Sequence, residues 1–249
     1  MRTDFRSGNF SLGLGEKRKH LRRQRKLKAL ILPVALVILG WVIGKSILTS
    51  PYFETKAVRV EGTSRLSQAQ ILKWANIRAG ESIFQINLRR VAKSISSSRL
   101  VKTTEVKRIL PSTVLIQVEE RIPFVYLSQK GSLYEVDQEG VILGKGKKIA
   151  ELPMMVGNGW SSRPEKIKLA VGIVRAAEEL GLSFSKIKMD NKGSMVGYLK
   201  NGPRIYLGQS PQLAYLSYLP LILAAKGGSR RRIKYLDIRF RDQIVVGTE

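Results

Sequence analysis

Arg108-Ile109-Leu110-Pro111-Ser112-Thr113-Val114-Leu115-Ile116-Gln117-Val118-Glu119-Glu120-Arg121-Ile122-Pro123 is the stretch whose reading decides the fold. Val114, Ile116 and Val118 alternate with Leu115, Gln117 and Glu119, the period of a strand with one buried face. The strand from Val101 to Leu110 enters a turn at Leu110-Pro111-Ser112-Thr113, where Pro111 suits the second position of a type I turn. The two runs therefore read as consecutive strands.

Working back from them, Asn87 opens a helix with Leu88, Val91, Ala92 and Ile95 at helical spacing. Ser67 with Gln70 three residues on is a capping-box signature for an earlier helix, whose buried side would be Ile71, Leu72 and Trp74. Val58 and Val60 mark a short strand that breaks at Gly62. The order is strand, helix, helix, strand, strand.

Working forward, short strands are expected at 124–127, 133–136, 141–143, 187–190, 195–199, 204–207, 233–240 and 244–246, mostly antiparallel. A helix should start near Pro164 and run to Leu180, with Ile167, Val171, Val174 and Ala177 buried and Gly181 as its stop. Ser210-Pro211 should begin a second helix, which Pro220 ends or kinks.

Upstream of all this, Ala29 to Gly44 carries no charge. With Leu27, Ile47 and Leu48 it can approach the ~30 Å hydrocarbon thickness if Lys28 and Lys45 snorkel. Leu30, Pro33, Leu36, Trp41 and Lys45 are the expected anchor residues, Trp41 as an interfacial aromatic. The flank before the helix holds Lys17, Arg18, Lys19, Arg22, Arg23, Arg25, Lys26 and Lys28, so the N-terminus should lie in the cytoplasm and the bulk outside. Anionic lipid suffices to explain the basic tail, and no nucleic-acid partner is expected.

A net charge of +25 implies attraction to polyanions without choosing among them. The chain has no cysteine, which excludes disulfides and thiolate chemistry, and its one histidine, His20, lies in the basic tail. No nucleophile elbow or phosphate-binding loop occurs, and Glu119/Glu120 and Glu178/Glu179 are sequence neighbours whose side chains diverge. No enzyme activity and no cofactor are expected. What remains is binding. The segment from Ile233 to Val246 is apolar and β-prone, and suits a sheet edge to which a partner can add a strand. Its alternation suits core filling as well: Leu236, Ile238 and Phe240 share one face, with Asp237 and Arg239 on the other.

The 108–123 stretch, with Val58-Arg59-Val60-Glu61-Gly62 and Gly80-Glu81-Ser82-Ile83-Phe84, resembles a POTRA domain of the FtsQ/DivIB type. Leu133 to Gly140, Glu151-Leu152-Pro153, Arg204 to Gly208 and Tyr235 to Phe240 resemble the same family's motifs in the expected order. The resemblance implies an α+β chain: a cytoplasmic tail (1–28), a transmembrane helix (29–48), a POTRA domain (55–122) and a mainly antiparallel β domain with two helices (123–247). It implies a non-catalytic cell-division scaffold of the divisome, a single-pass protein of the bacterial inner membrane at the septum. Its partners would be FtsB and FtsL. The implied FtsB contact falls on Tyr235, Asp237, Arg239, Phe240, Asp242, Gln243 and Ile244, with Phe240 at its heart and Lys192 pairing an acidic group of the partner. Thr248 stands where several members carry an aromatic. The alternative reading is a POTRA-bearing export or outer-membrane assembly component.

Overall fold

The computed structural model describes residues 33–47, 49–148, 151–227 and 232–248. A first helix, α1, covers residues 33–47, with Val37 and Trp41 among many exposed apolar side chains. Among the described residues, no helix is long and apolar enough to cross a membrane. The expected anchor residue Leu30, the rest of 29–32 and Leu48 lie outside the described residues.

The order β1 (Ala57–Glu61), α2 (Gln68–Ala75), α3 (Leu88–Ser96), β2 (Val101–Ile109), β3 (Thr113–Glu120) follows. The three strands form a sheet in the order β1-β3-β2. Local chemistry explains the helix starts. Ser67 N–H donates to Gln70 Oε1 (3.0 Å) while Gln70 N–H donates to Ser67 Oγ (3.3 Å), a reciprocal capping box. Asn87 Oδ1 accepts from Arg90 N–H at 3.0 Å and caps α3. Val114, Ile116 and Val118 are buried, as their alternation requires, and Ile71 is fully buried. Leu72 is exposed, however, and Ala75 takes its expected place in the core. The Leu110–Pro111 peptide, in the turn between β2 and β3, is cis.

By the clustering of its contacts the chain divides into two units. The smaller comprises the chain up to Arg59 with Asn76–Val91 and Val106–Ile116. In it Arg108 Nε donates to the Ile83 carbonyl (2.6 Å) and Nη2 to that of Ile86 (2.8 Å). Phe53 and Phe84 pack with ring centroids 5.1 Å apart.

The larger unit comprises Val60–Ala75, Ala92–Glu105 and Gln117–Glu249. There Glu120 accepts the N–H groups of Ser64, Arg65 and Leu66 and so pins the start of the α2 approach. Nine strands form one sheet: β4 (Val125–Gln129), β5 (Ser132–Val136), β6 (Ile142–Lys145), β7 (Met154–Gly157), β8 (Phe184–Met189), β9 (Met195–Leu199), β10 (Arg204–Gly208), β11 (Ile233–Asp237) and β12 (Val245–Thr248). Their spatial order is β12-β11-β10-β9-β8-β7-β4-β5-β6. The sheet is mixed, with parallel pairs at β4–β7, β7–β8 and β10–β11 and antiparallel pairing elsewhere.

The helix α4 (Pro164–Glu179) buries Ile167, Val171, Val174 and Ala177 against the sheet, joined by Ala170 and Ile173. It ends as expected. Gly181 adopts φ +73°, Leu182 N–H bonds the Ala177 carbonyl (2.8 Å) and Gly181 N–H that of Glu178 (3.0 Å), a Schellman stop. A 3-10 turn at Leu213–Tyr218 leads into α5 (Leu219–Gly227). Pro220 sits in the first turn of α5, where its missing N–H costs little, so it starts that helix instead of ending one.

Candidate partner-binding edge

Among the described residues, the nine-stranded sheet ends on β12, which is hydrogen-bonded on one side only, to β11. Its other side presents unpaired backbone donors and acceptors. Asp237 faces Val245, Leu236 faces Val246 and Tyr235 faces Gly247. A Cβ on Gly247 would lie 2.1 Å from the Tyr235 ring, so glycine there lets Tyr235 lie flat across the edge strand.

The expected strand 233–240 stops at Asp237, and a local bond explains it. Asp237 Oδ1 accepts the backbone N–H of Arg239 (3.1 Å), an Asx turn that competes with strand pairing. Arg239 folds back on the same carboxylate, with Nε 2.8 Å from Oδ1 and Nη2 2.5 Å from Oδ2. Ile238 remains in the core, whereas Phe240 turns outward at 43% exposure. Thus Leu236, Ile238 and Phe240 do not share a face. Strand β11 is internal, flanked by β10 and β12, so of the segment 233–246 only the part in β12 lies at a sheet edge.

Around this turn a polar and aromatic cluster forms. The Arg239 guanidinium lies 5.3 Å from the Tyr206 ring centroid and 5.9 Å from that of Phe240. Tyr206 meets Tyr235 edge-on at 5.4 Å. Gly208, at φ +75°, leaves room for Arg239: a Cβ there would stand 3.0 Å from Arg239 Cγ. Asp242 takes φ +62° and donates its N–H to Tyr215 Oη at 2.6 Å, which fixes the loop between β11 and β12. Asp242 and Gln243 are exposed, and Ile244 is half-buried.

Lys192 is exposed on the β8–β9 turn, held by Asp190 Oδ1, which accepts from Lys192 N–H (2.9 Å) and Ser194 N–H (2.8 Å). Strand register places it at the same end of the sheet as Phe240. Lys188, Val196, Tyr206, Asp237 and Val245 are successive cross-strand neighbours, and Lys192 and Arg239 both lie just beyond that row. At ~4.8 Å per strand, the turn and the edge strand stand roughly 15 Å apart. Tyr215 and Gly247, which hold this architecture, carry no local signal in the sequence. Only their non-local pairings reveal them.

Burial drives the Asp237 carboxyl up, but the Arg239 side-chain and backbone bonds outweigh it and hold it below its ordinary 3.8. A depressed folded value means stability that is present above 3.8 and lost as pH falls through the folded value. Arg239 stays charged throughout. In urea titrations of the full chain in detergent, the stability gap between wild type and Asp237→Asn should be constant near neutrality and should shrink below 3.8. A gap that widened with acid would contradict this.

Residues 53–121 match the family model described as POTRA domain, FtsQ-type, and residues 125–239 match the one described as Cell division protein FtsQ/DivIB, C-terminal. The chain belongs to the FtsQ/DivIB family. Among relatives, FtsQ of Myxococcus fulvus is 26% identical over 238 residues, covering 87% of this chain and 82% of the relative. DivIB of Bacillus subtilis is 22% identical over 235 residues, covering 91% and 89%. A solved extracytoplasmic domain of DivIB from Geobacillus stearothermophilus matches at 17% identity and TM-score 0.32, over 45% of this chain and 98% of that one. A score of that size fixes no fold. Membership makes this an α+β cell-division protein with a POTRA domain followed by a β-rich part, and it favours division over the export reading.

Proposed function

We propose that this FtsQ/DivIB member is a non-catalytic divisome scaffold that receives an FtsB–FtsL-type pair at the septum by strand addition to β12. The observation that carries the proposal is the free β12 edge beside an outward aromatic, Phe240, with Arg239 and Lys192 at the same end of the sheet. Backbone pairing would supply affinity, and the aromatic and cationic groups would set register. Among the described residues Lys192 has no acidic partner and can meet one on FtsB or FtsL, whereas Arg239 would share itself with Asp237.

In this reading residues 29–48 anchor the chain in the inner membrane through Leu30, Pro33, Leu36, Trp41 and Lys45. Residues 1–28 lie in the cytoplasm. A POTRA module at 55–122 and a β module at 123–247 work outside, without cofactor or nucleic acid. The apolar exposure of α1 on nearly every side supports the anchor, because such a helix has no protein core to enter.

Two measurements test the proposal together. A fluorescent N-terminal fusion of the full chain should concentrate at midcell in dividing cells, and FtsB and FtsL should co-purify with it from detergent-solubilised membranes. Uniform peripheral signal, or midcell signal without either protein, would sink the corresponding half.

A further inference from the structure

We infer that the end of the POTRA sheet nearest α1 rests in the lipid headgroup layer, with Tyr52, Ile109 and Leu110 inserted among the lipids. This inference depends on the anchor reading and adds a second membrane contact to it.

The path from α1 to this lobe has no slack. Thr49 N–H bonds the Lys45 carbonyl (3.0 Å) and Ser50 N–H that of Ile47 (3.3 Å), continuing the helical turn. Ser50 Oγ then accepts Tyr52 N–H at 3.3 Å and caps a 3-10 turn, Pro51–Phe53. Tyr52 is thus five residues past the last helical residue and cannot leave by more than roughly 17 Å even if extended. It is 64% exposed.

The β2–β3 turn comes to the same place. The Ser112 carbonyl accepts the N–H groups of Lys56 (2.9 Å) and Ala57 (3.3 Å), where the chain arrives from α1. Ile109 and Leu110, just before it, are 43% and 58% exposed. Phe53 ties the lobe together from the other side, since its carbonyl accepts Ile83 N–H at 2.8 Å and Arg108 grips the Ile83 carbonyl at 2.6 Å. Tyr52 meets Phe53 edge-on at 5.1 Å on one side only, and Tyr52, Ile109 and Leu110 all stay largely exposed near the exit of α1.

Charge favours lipid as the occupant. Lys56 and Arg78 are exposed and have no acidic partner among the described residues, and Lys45 closes α1. The 78–81 loop belongs to the same lobe, because Thr55 N–H bonds the Glu81 carbonyl at 2.9 Å. Glu54 and Glu81, its carboxylates, are half-buried. Aromatic and apolar side chains beside exposed cations match an anionic headgroup interface.

Because the chain has no cysteine, single probes can be placed at will. Full-length Leu110→Cys and Val37→Cys, each carrying an environment-sensitive fluorophore, would be reconstituted in phosphatidylcholine–phosphatidylglycerol vesicles. Doxyl-labelled lipid quenches from the bilayer and iodide from water. Both probes should lose emission to doxyl lipid, with the Leu110 probe blue-shifted. Quenching of the Val37 probe by doxyl lipid, with the Leu110 probe quenched by iodide alone, would overturn the inference and leave the anchor standing. A Leu110 probe shielded from both quenchers would mean that protein covers the turn, which also overturns it. Failure of doxyl lipid to quench the Val37 probe would remove the anchor, and the inference with it.

Discussion

Under the strand-addition proposal, Phe240→Ala should weaken binding of an FtsB–FtsL pair by about 2 kcal/mol or more, roughly 30-fold in Kd, while leaving the fold intact. The separation of the two effects follows from where the ring sits. Phe240 follows the Asx turn at Asp237, is 43% exposed, and has the Arg239 guanidinium 5.9 Å from its ring centroid. It lies outside the buried core, so a change in stability should stay within about 0.5 kcal/mol. What it removes is an aromatic anchor beside an unpaired strand edge, the setting in which interface aromatics concentrate binding energy. Phe240→Tyr keeps the ring and should keep most of the affinity. Titration of the full chain in nanodiscs with the pair from the same organism reads both. Wild-type affinity in Phe240→Ala would mean that the partner docks elsewhere.

Sequence patterns foretold the elements whose signals are local. The capping box at Ser67 and Gln70, the Asn87 cap, the buried stripe of α4 and its Gly181 stop each depend on residues within one or two turns. Alternation in β3 likewise predicted its buried face. What escaped was non-local. Strand β7 has only four residues, Met-Met-Val-Gly, and is defined by parallel neighbours from β4 and β8, so no alternation announces it. Trp160, fully buried with its Nε1 on the Val156 carbonyl (3.1 Å), belongs to the same region. The candidate site was legible in composition but not in geometry. Apolar alternation from Leu236 to Phe240 suggests one continuous strand, but the Asp237 carboxylate, bound to the Arg239 N–H, ends it and turns Phe240 out, and pairing of β11 on both sides leaves β12 at the edge.

Arg121 carries the second large effect, on stability. It stands in the Glu119-Glu120-Arg121-Ile122-Pro123 exit of β3, with its own N–H on the Leu100 carbonyl at 2.8 Å. Its Nη1 donates to Asp137 Oδ2 and to Glu139 Oε2, the latter at 2.5 Å. The three groups differ in exposure, and that decides the outcome. Glu139 is half exposed and can turn to water, whereas the Asp137 side chain is 6% exposed and cannot. Asp137 Oδ1 is occupied by the N–H groups of Glu139 (2.9 Å) and Val141 (2.8 Å), which shape the β5–β6 turn. Arg121→Ala therefore strands a buried carboxylate that the turn still needs. Breaking one side of a buried pair costs 3–5 kcal/mol, and the two remaining N–H bonds place this case near ~3 kcal/mol. At 2–4 °C per kcal/mol for a chain of this size, the melting temperature should fall by roughly 6–12 °C. The Lys102–Glu119 pair, open to water on both sides, should contribute far less despite its 2.8 Å contact. Adding Asp137→Asn to Arg121→Ala removes the stranded charge but keeps an acceptor for both N–H groups, so it should restore part of the loss. If the double variant melted lower than Arg121→Ala alone, the uncompensated charge would not be the cause.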